Sequence, residues 1–191
     1  MNKVKKSWLG LWALILNSLI ISPLYASEPL PDMSVYHLEG EWTNQEGKSL
    51  SLQELAGKPV VAAMVYTSCV HTCSMMTTKV LDIQKQLKAR QQEGVIYALI
   101  TFDSKGDTVS ALNDYKMKRK LDNHWQLLRA DDSNIRRLAG VLGVNYKEVA
   151  EGEFSHSNII SLLDKKGVLV SQVNGLNKST AALTEKLVSL L

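Results

Sequence analysis

Every residue from Val60 to Tyr66 is apolar. A strand with water on one side alternates polar and apolar residues, so an unbroken run of this length is covered on both faces. The sequence that follows supplies the cover. Thr67 to Thr72 is a short polar connection, after which Met76, Val80, Ile83 and Leu87 recur at helical spacing among Gln and Lys. Gly94 closes that helix, and Val95 to Phe102 is a second buried strand. Thr108 to Leu121 is amphipathic, and Trp125 to Leu128 fits a short strand. Asp131 to Leu142 reads as a helix with acids in its first turn and Gly143 past its end. Alternation of this kind predicts an α/β fold, a central mixed β-sheet flanked by helices.

Glu41 to Thr43 and Lys48 to Leu50 flank Asn44-Gln45-Glu46-Gly47, which predicts an N-terminal β-hairpin, and Leu52 to Ala56 has room for one helical turn. Ile159 to Leu163 and Val168 to Val173 flank Asp164-Lys165-Lys166-Gly167, a second hairpin, before a closing helix over Leu183 to Leu191. A chain of 191 residues without repeats or low-complexity stretches reads as one globular domain.

Residues 1–26 are of another kind. Lys3, Lys5 and Lys6 precede an apolar run from Trp8 to Ile21, and Leu24-Tyr25-Ala26 ends the segment on a small residue. This is the layout of a cleaved secretory signal, and the run is short for a membrane span of ~20 apolar residues. An uncleaved inner-membrane anchor facing the periplasm is the alternative. The expected organisation is a signal peptide over 1–26, a mobile leader over 27–37 and a domain over 38–191. Export places the domain in the periplasm, where thiols are oxidised. Three of the 22 basic residues lie in residues 1–26, which hold no acid, so 19 basic residues face 19 acidic ones in the remainder. That balance gives no ground for nucleic acid or an anionic membrane as partner.

The two cysteines, Cys69 and Cys73, flank Val70-His71-Thr72 in the connection after the first buried strand. Open α/β sheets place their sites at the carboxyl ends of such strands. A helix start beside Cys73 favours a thiolate, which is both a nucleophile and a soft metal ligand. Copper(I) takes such ligands, and a nearby imidazole lets the site hold copper(II) as well. The plainer alternative is a structural disulfide, although closing so short a loop limits the unfolded chain little. The gap is one residue longer than in a Cys-x-x-Cys redox pair.

A strand leading into a cysteine-bearing loop and a helix points to a thioredoxin-like fold. Thioredoxin-type oxidoreductases set a cis-proline opposite their cysteines from a later loop. Here Pro23, Pro29, Pro31 and Pro59 all precede Cys69. Glu153 to Asn158 stands at the later place, so His156 can face the cysteines as a third ligand.

Three blocks carry a resemblance to the Sco/SenC family. Gly57-Lys58-Pro59 and the strand to Tyr66-Thr67-Ser68-Cys69, with Cys73, resemble its signature. Thr101-Phe102-Asp103 with Asp107-Thr108 resembles its Asp-Pro-x-x-Asp-Thr block, and Ser155-His156-Ser157 followed by Leu163, Asp164 and Gly167 resembles its third. Val70 and Ser74 stand where the family has proline after each cysteine, and Ser104 replaces the proline of the aspartate block. The resemblance implies a thioredoxin-like fold and a copper site, Cu(I) or Cu(II), made of Cys69, Cys73 and His156. It also implies a role in delivering copper to, or reducing, the dinuclear copper centre of cytochrome c oxidase, and the chain is expected to act as a monomer. The partner would be a copper-receiving membrane oxidase subunit or another periplasmic copper protein.

Two other functions use the same residues. One is a thiol–disulfide reductase with Cys69 and Cys73 as its catalytic redox pair, which does not need His156. The other is a copper- or redox-sensing interaction protein. A peroxidase ranks below these, because no arginine is placed by the sequence. Among the remaining residues, His71 reads as solvent-facing, with auxiliary ligation as the alternative. Met76 belongs to the core stripe beside the soft sulfur of Met75, and Asp107 or Thr108 is expected to cap a helix. Asp103 could brace the site or touch a partner, and His37 and His124 read as incidental.

Overall fold

The computed structural model describes residues 29–191, so the signal segment expected over 1–26 lies outside the described residues. The expected N-terminal hairpin is β1 (Trp42–Asn44) and β2 (Ser49–Leu50), closed by a turn through Gly47. The apolar run forms β3 (Val60–Val65), buried at every position. After it come α1 (Thr72–Ala89), β4 (Ile96–Thr101), α2 (Val109–Lys118), β5 (Trp125–Arg129) and α3 (Asp132–Val141). A second hairpin then intervenes, β6 (Tyr146–Ala150) and β7 (Glu153–His156). The chain returns through β8 (Ile159–Leu163) and β9 (Leu169–Asn174) and ends in α4 (Ala181–Val188).

Seven strands form one mixed sheet in the order β2-β1-β5-β4-β3-β8-β9. At its centre β3 pairs parallel with β4, Ala62 opposite Ala98, and antiparallel with β8, Ala62 opposite Ser161. The parallel pairs are spanned by α1 and α2, as parallel strands require a crossover. The buried face of α1 is Cys73, Met76, Thr77, Val80, Ile83, Gln84 and Leu87, the expected stripe extended by the polar Thr77 and Gln84. Both polar groups are satisfied, Thr77 by Tyr115 and Gln84 by Trp125 and Asp122. The α/β fold expected from sequence, a thioredoxin-like mixed sheet flanked by helices, is the fold observed. Among the described residues no helix is long and apolar enough to cross a membrane.

Two expectations are corrected. The leader expected over 27–37 does not run free to its end, because Ser34 to His37 packs onto the domain. Val35–His37 is a 3-10 turn, Val35 is 2% and Tyr36 5% exposed, and Ser34 pairs with Val168. The turn docks against Gly167, whose φ of +78° suits glycine and where a Cβ would meet the Tyr36 ring at 2.6 Å. The apolar pair Val35-Tyr36 outweighed the prolines before it. The second correction concerns Glu153 to His156, expected as a loop and found as β7, paired with β6.

Candidate metal centre

The end of β3 sets the geometry of the centre. The chain leaves the sheet at Tyr66 and turns at once, with the Cys69 N–H on the Tyr66 carbonyl at 3.3 Å. Cys73, the second residue of α1, is fully buried, whereas Cys69 is half-buried. Free N–H groups at the helix start point at Cys69, and that of Cys73 donates to its Sγ at 3.4 Å. Thr72 lies 3.4 Å from the same sulfur through its hydroxyl. Neither cysteine is bridged in this structure.

The two thiols consequently differ. Burial alone would raise the Cys69 thiol, but hydrogen bonds from Thr72, from Cys73 and from the His71 N–H outweigh it and lower the thiol to about 6. Burial, with the Cys69 sulfur alongside, pushes the Cys73 thiol far up. Of the two, Cys69 is thus the one favoured as a thiolate and Cys73 the one favoured as a thiol.

His156 ends β7. In the β6–β7 register Tyr146 lies opposite His156 and Glu148 opposite Phe154, which puts Tyr146, Phe154 and His156 on one face. That face rests on aromatic side chains from the main sheet. Phe102 stacks on Tyr146 with centroids 5.2 Å apart, and Tyr66 lies 5.2 Å from Phe154. The imidazole sits 5.0 Å from the Phe102 ring and edge-on to Tyr66. Its Nδ1 lies 3.0 Å from the Ser157 carbonyl oxygen, which can only accept, so Nδ1 carries the proton. Nε2 is left with its lone pair, pointing at Cys73 Sγ (3.5 Å) and Thr72 Oγ1 (3.3 Å).

Asp107 fixes the loop from below. It is 1% exposed, and its carboxylate accepts from the Thr67 N–H at 3.0 Å and from the hydroxyls of Thr67 and Thr101. Helix α2 is capped instead by Thr108, whose hydroxyl accepts from the Ala111 N–H. Asp103 turns inward as a turn-former, accepting from the Gly106 N–H at 2.7 Å. Of the other residues considered, His71 and Met75 are exposed and Met76 is in the core. His37 binds the Pro31 carbonyl at 3.0 Å and His124 is exposed, both away from the site. Arg119 shares a cleft with Cys69 but is tied to Ser74.

The ligand atoms of Cys69, Cys73 and His156 all lie within 4.8 Å of one another. Three donors so spaced surround a point about 2.8 Å or less from each, close to the ~2.3 Å of a metal–thiolate bond. Two sulfurs and one imidazole suit a soft or borderline ion, and the half-exposed Cys69 leaves a way in. Sequence reasoning singled out these three candidate ligands but not Thr72, Asp107 or the aromatic bed. Each depends on tertiary contacts, and only the alternation of Tyr146 with Glu148 and of Phe154 with His156 around Gly152 gave a local sign.

A curated relative, the SCO1 protein homolog of Bacillus subtilis (strain 168), is 28% identical over 142 residues, 71% of this chain and 72% of its own. Among solved structures, Bradyrhizobium japonicum ScoI with copper bound is 24% identical with a TM-score of 0.63, covering 80% of this chain and 97% of its own. BsSco, described with a disulfide switch as a member of the Sco family of cytochrome c oxidase assembly proteins, is 24% identical with a TM-score of 0.70, covering 80% and 92%. The SCO1/SenC family model matches residues 34–191, all three blocks and the docked Ser34–His37 turn included, and the chain belongs to the SCO1/SenC family.

Proposed function

We propose that this protein binds copper through Cys69, Cys73 and His156 in the periplasm and passes it to a copper-receiving membrane subunit of cytochrome c oxidase. The observation that carries the reading is the convergence of two sulfurs and an Nε2 lone pair whose tautomer is set by Ser157. Copper suits this set in both oxidation states, thiolates favouring copper(I) and the imidazole supporting copper(II). Family membership and a copper-bound relative of the same fold support the choice of metal. The description of BsSco supports the oxidase as destination. The Lys-rich apolar start of the chain supports the compartment.

The test is titration of the reduced mature protein with copper, followed by electron paramagnetic resonance and by copper–thiolate charge-transfer absorption. One tightly held copper per chain is expected. His156→Ala should weaken copper(II) at least about tenfold and copper(I) less, because two thiolates can hold copper(I) alone. Zinc bound in preference to copper, or equal copper(II) binding by the variant, would overturn the assignment.

One observation favours a second reading, thiol–disulfide exchange. Cys69 is accessible with a lowered thiol, and Cys73 lies buried within hydrogen-bond reach of it. The Cys69 thiolate would attack a partner disulfide, forming a mixed disulfide and releasing one partner thiolate. Cys73 would then attack Cys69, releasing the second partner thiol and leaving a Cys69–Cys73 disulfide. Reduction of partner disulfides that survives His156→Ala would establish this route.

A further inference from the structure

In turning Cys69 and Cys73 towards His156, the loop turns the residues between them outward. Val70 is 75% exposed and His71 is exposed. His71 precedes α1, and its carbonyl accepts the Met75 N–H at 3.1 Å, which puts Met75 one helical turn along. Met75 is 49% exposed, while its neighbour Met76 fills the core at 1%. Packing therefore accounts for Met76 and not for Met75.

The His71 imidazole and the Met75 thioether line one open cleft of about 400 Å³, whose other walls are Val70, Ser74, Thr78 and Lys79. The remaining polar side chains there are engaged. Arg119 binds the Ser74 hydroxyl, the Thr78 hydroxyl donates to the Ser74 carbonyl at 3.0 Å, and the Lys79 ammonium donates to the Lys178 carbonyl at 2.8 Å. The ring of His71 and the sulfur of Met75 have no hydrogen-bond or ring partner among the described residues. Two uncommitted donors, one a thioether, thus share an apolar recess whose wall residue Val70 adjoins Cys69.

We infer that His71 and Met75 form a second, weaker metal site, selective for copper(I), which captures the ion before it reaches Cys69, Cys73 and His156. A thioether is a soft donor that copper(I) accepts and harder divalent ions do not favour. A thioether and an imidazole ligate through lone pairs without bringing a negative charge, so they hold a cation less tightly than thiolates, and the ion moves downhill onto Cys69. Copper stays in the +1 state throughout, and the proton on Cys73 passes to solvent as its sulfur takes the metal. The inference rests on the copper-binding reading.

The test uses silver(I), a closed-shell stand-in for copper(I), with reduced mature protein carrying ¹³C-labelled methionine methyls. The first equivalent should leave the Met75 methyl in place. The second should move that methyl and the His71 ring signals, with Met33 and Met117, 78% and 70% exposed, as controls. In Cys69→Ser/Cys73→Ser protein the first equivalent should already move Met75. A Met75 response no larger than that of Met33 and Met117 in both proteins would overturn the inference. If Met75 responds to the first equivalent in unsubstituted protein, the thiolate site is not the stronger one, and the copper-binding reading fails instead. A kinetic arm tests the order of events. Met75→Leu should slow copper(I) uptake from a chromophoric chelator about tenfold while leaving the final affinity unchanged. Equal uptake rates would overturn the capture role.

Discussion

Among the described residues, Asp107 is a buried carboxylate with no cation beside it, held by Thr67 and Thr101. Its partners tie the end of β3, where the cysteine loop begins, to the end of β4. In Asp107→Asn an amide donor would face one of three hydrogen-bond donors, leaving a buried group unpaired at a cost of about 1–3 kcal/mol. Burial raises the Asp107 carboxyl, and the threonine bonds offset that only in part. Because its folded pKa lies above the unfolded one, its contribution is most favourable below the ordinary value of 3.8 and declines as pH rises through the raised value. The stability gap between the unsubstituted protein and the asparagine variant should therefore narrow with rising pH, which urea unfolding at several pH values would measure. The cysteines make a second residue-scale prediction. In the reduced, metal-free protein near neutral pH, an alkylating reagent should label Cys69 first and Cys73 slowly. Thr72→Val, which deletes a hydrogen bond to the Cys69 sulfur, should slow that first step by raising the thiol.

The β6–β7 hairpin stands outside the seven-stranded sheet, yet it carries His156, one of the three candidate ligands. Its position depends on aromatic contacts, above all those of half-buried Phe154 with Tyr66 and Phe102. Phe154→Ala should cost about 2 kcal/mol in stability. It should also weaken copper(II) absorption more than it alters the reduction potential of the cysteine pair, because the cysteines are held by β3 and α1. This hairpin was the element least visible in the sequence. Tyr146 to Ala150 and Glu153 to His156 are short and half-exposed, and their alternation is diluted by charged residues. By contrast, Val60 to Val65 and the stripe from Met76 to Leu87 were legible because burial on both faces, or along one helical face, dictates a residue type at each position. Cys69, Cys73 and His156 were legible as chemistry, and the family blocks supplied their grouping. Thr72 and Asp107 were not, since a threonine or an aspartate beside a helix start reads locally as a cap.

On the scale of the whole molecule, the domain begins at about Ser34. A chain starting at Leu38 forfeits the burial of Val35 and Tyr36 and the pairing of Ser34 with Val168. Its stability should fall by about 2–4 kcal/mol against a chain starting at Ser27, seen as a lower midpoint of thermal unfolding. The split of the donor set between the frame and the hairpin has a different consequence. Cys73 and His156 are 83 residues apart in sequence. A metal ion shared by them closes a very long loop in the unfolded chain, as a covalent staple would, and loops of this length are worth about 4.5 kcal/mol. An ion or bridging reagent held by Cys69 and Cys73 alone closes a trivial one. Copper loading and simple thiol bridging should thus part company in a melting experiment. The first should knit the two ends of the fold into one cooperative unit, and the second should leave the hairpin free to come away before the rest.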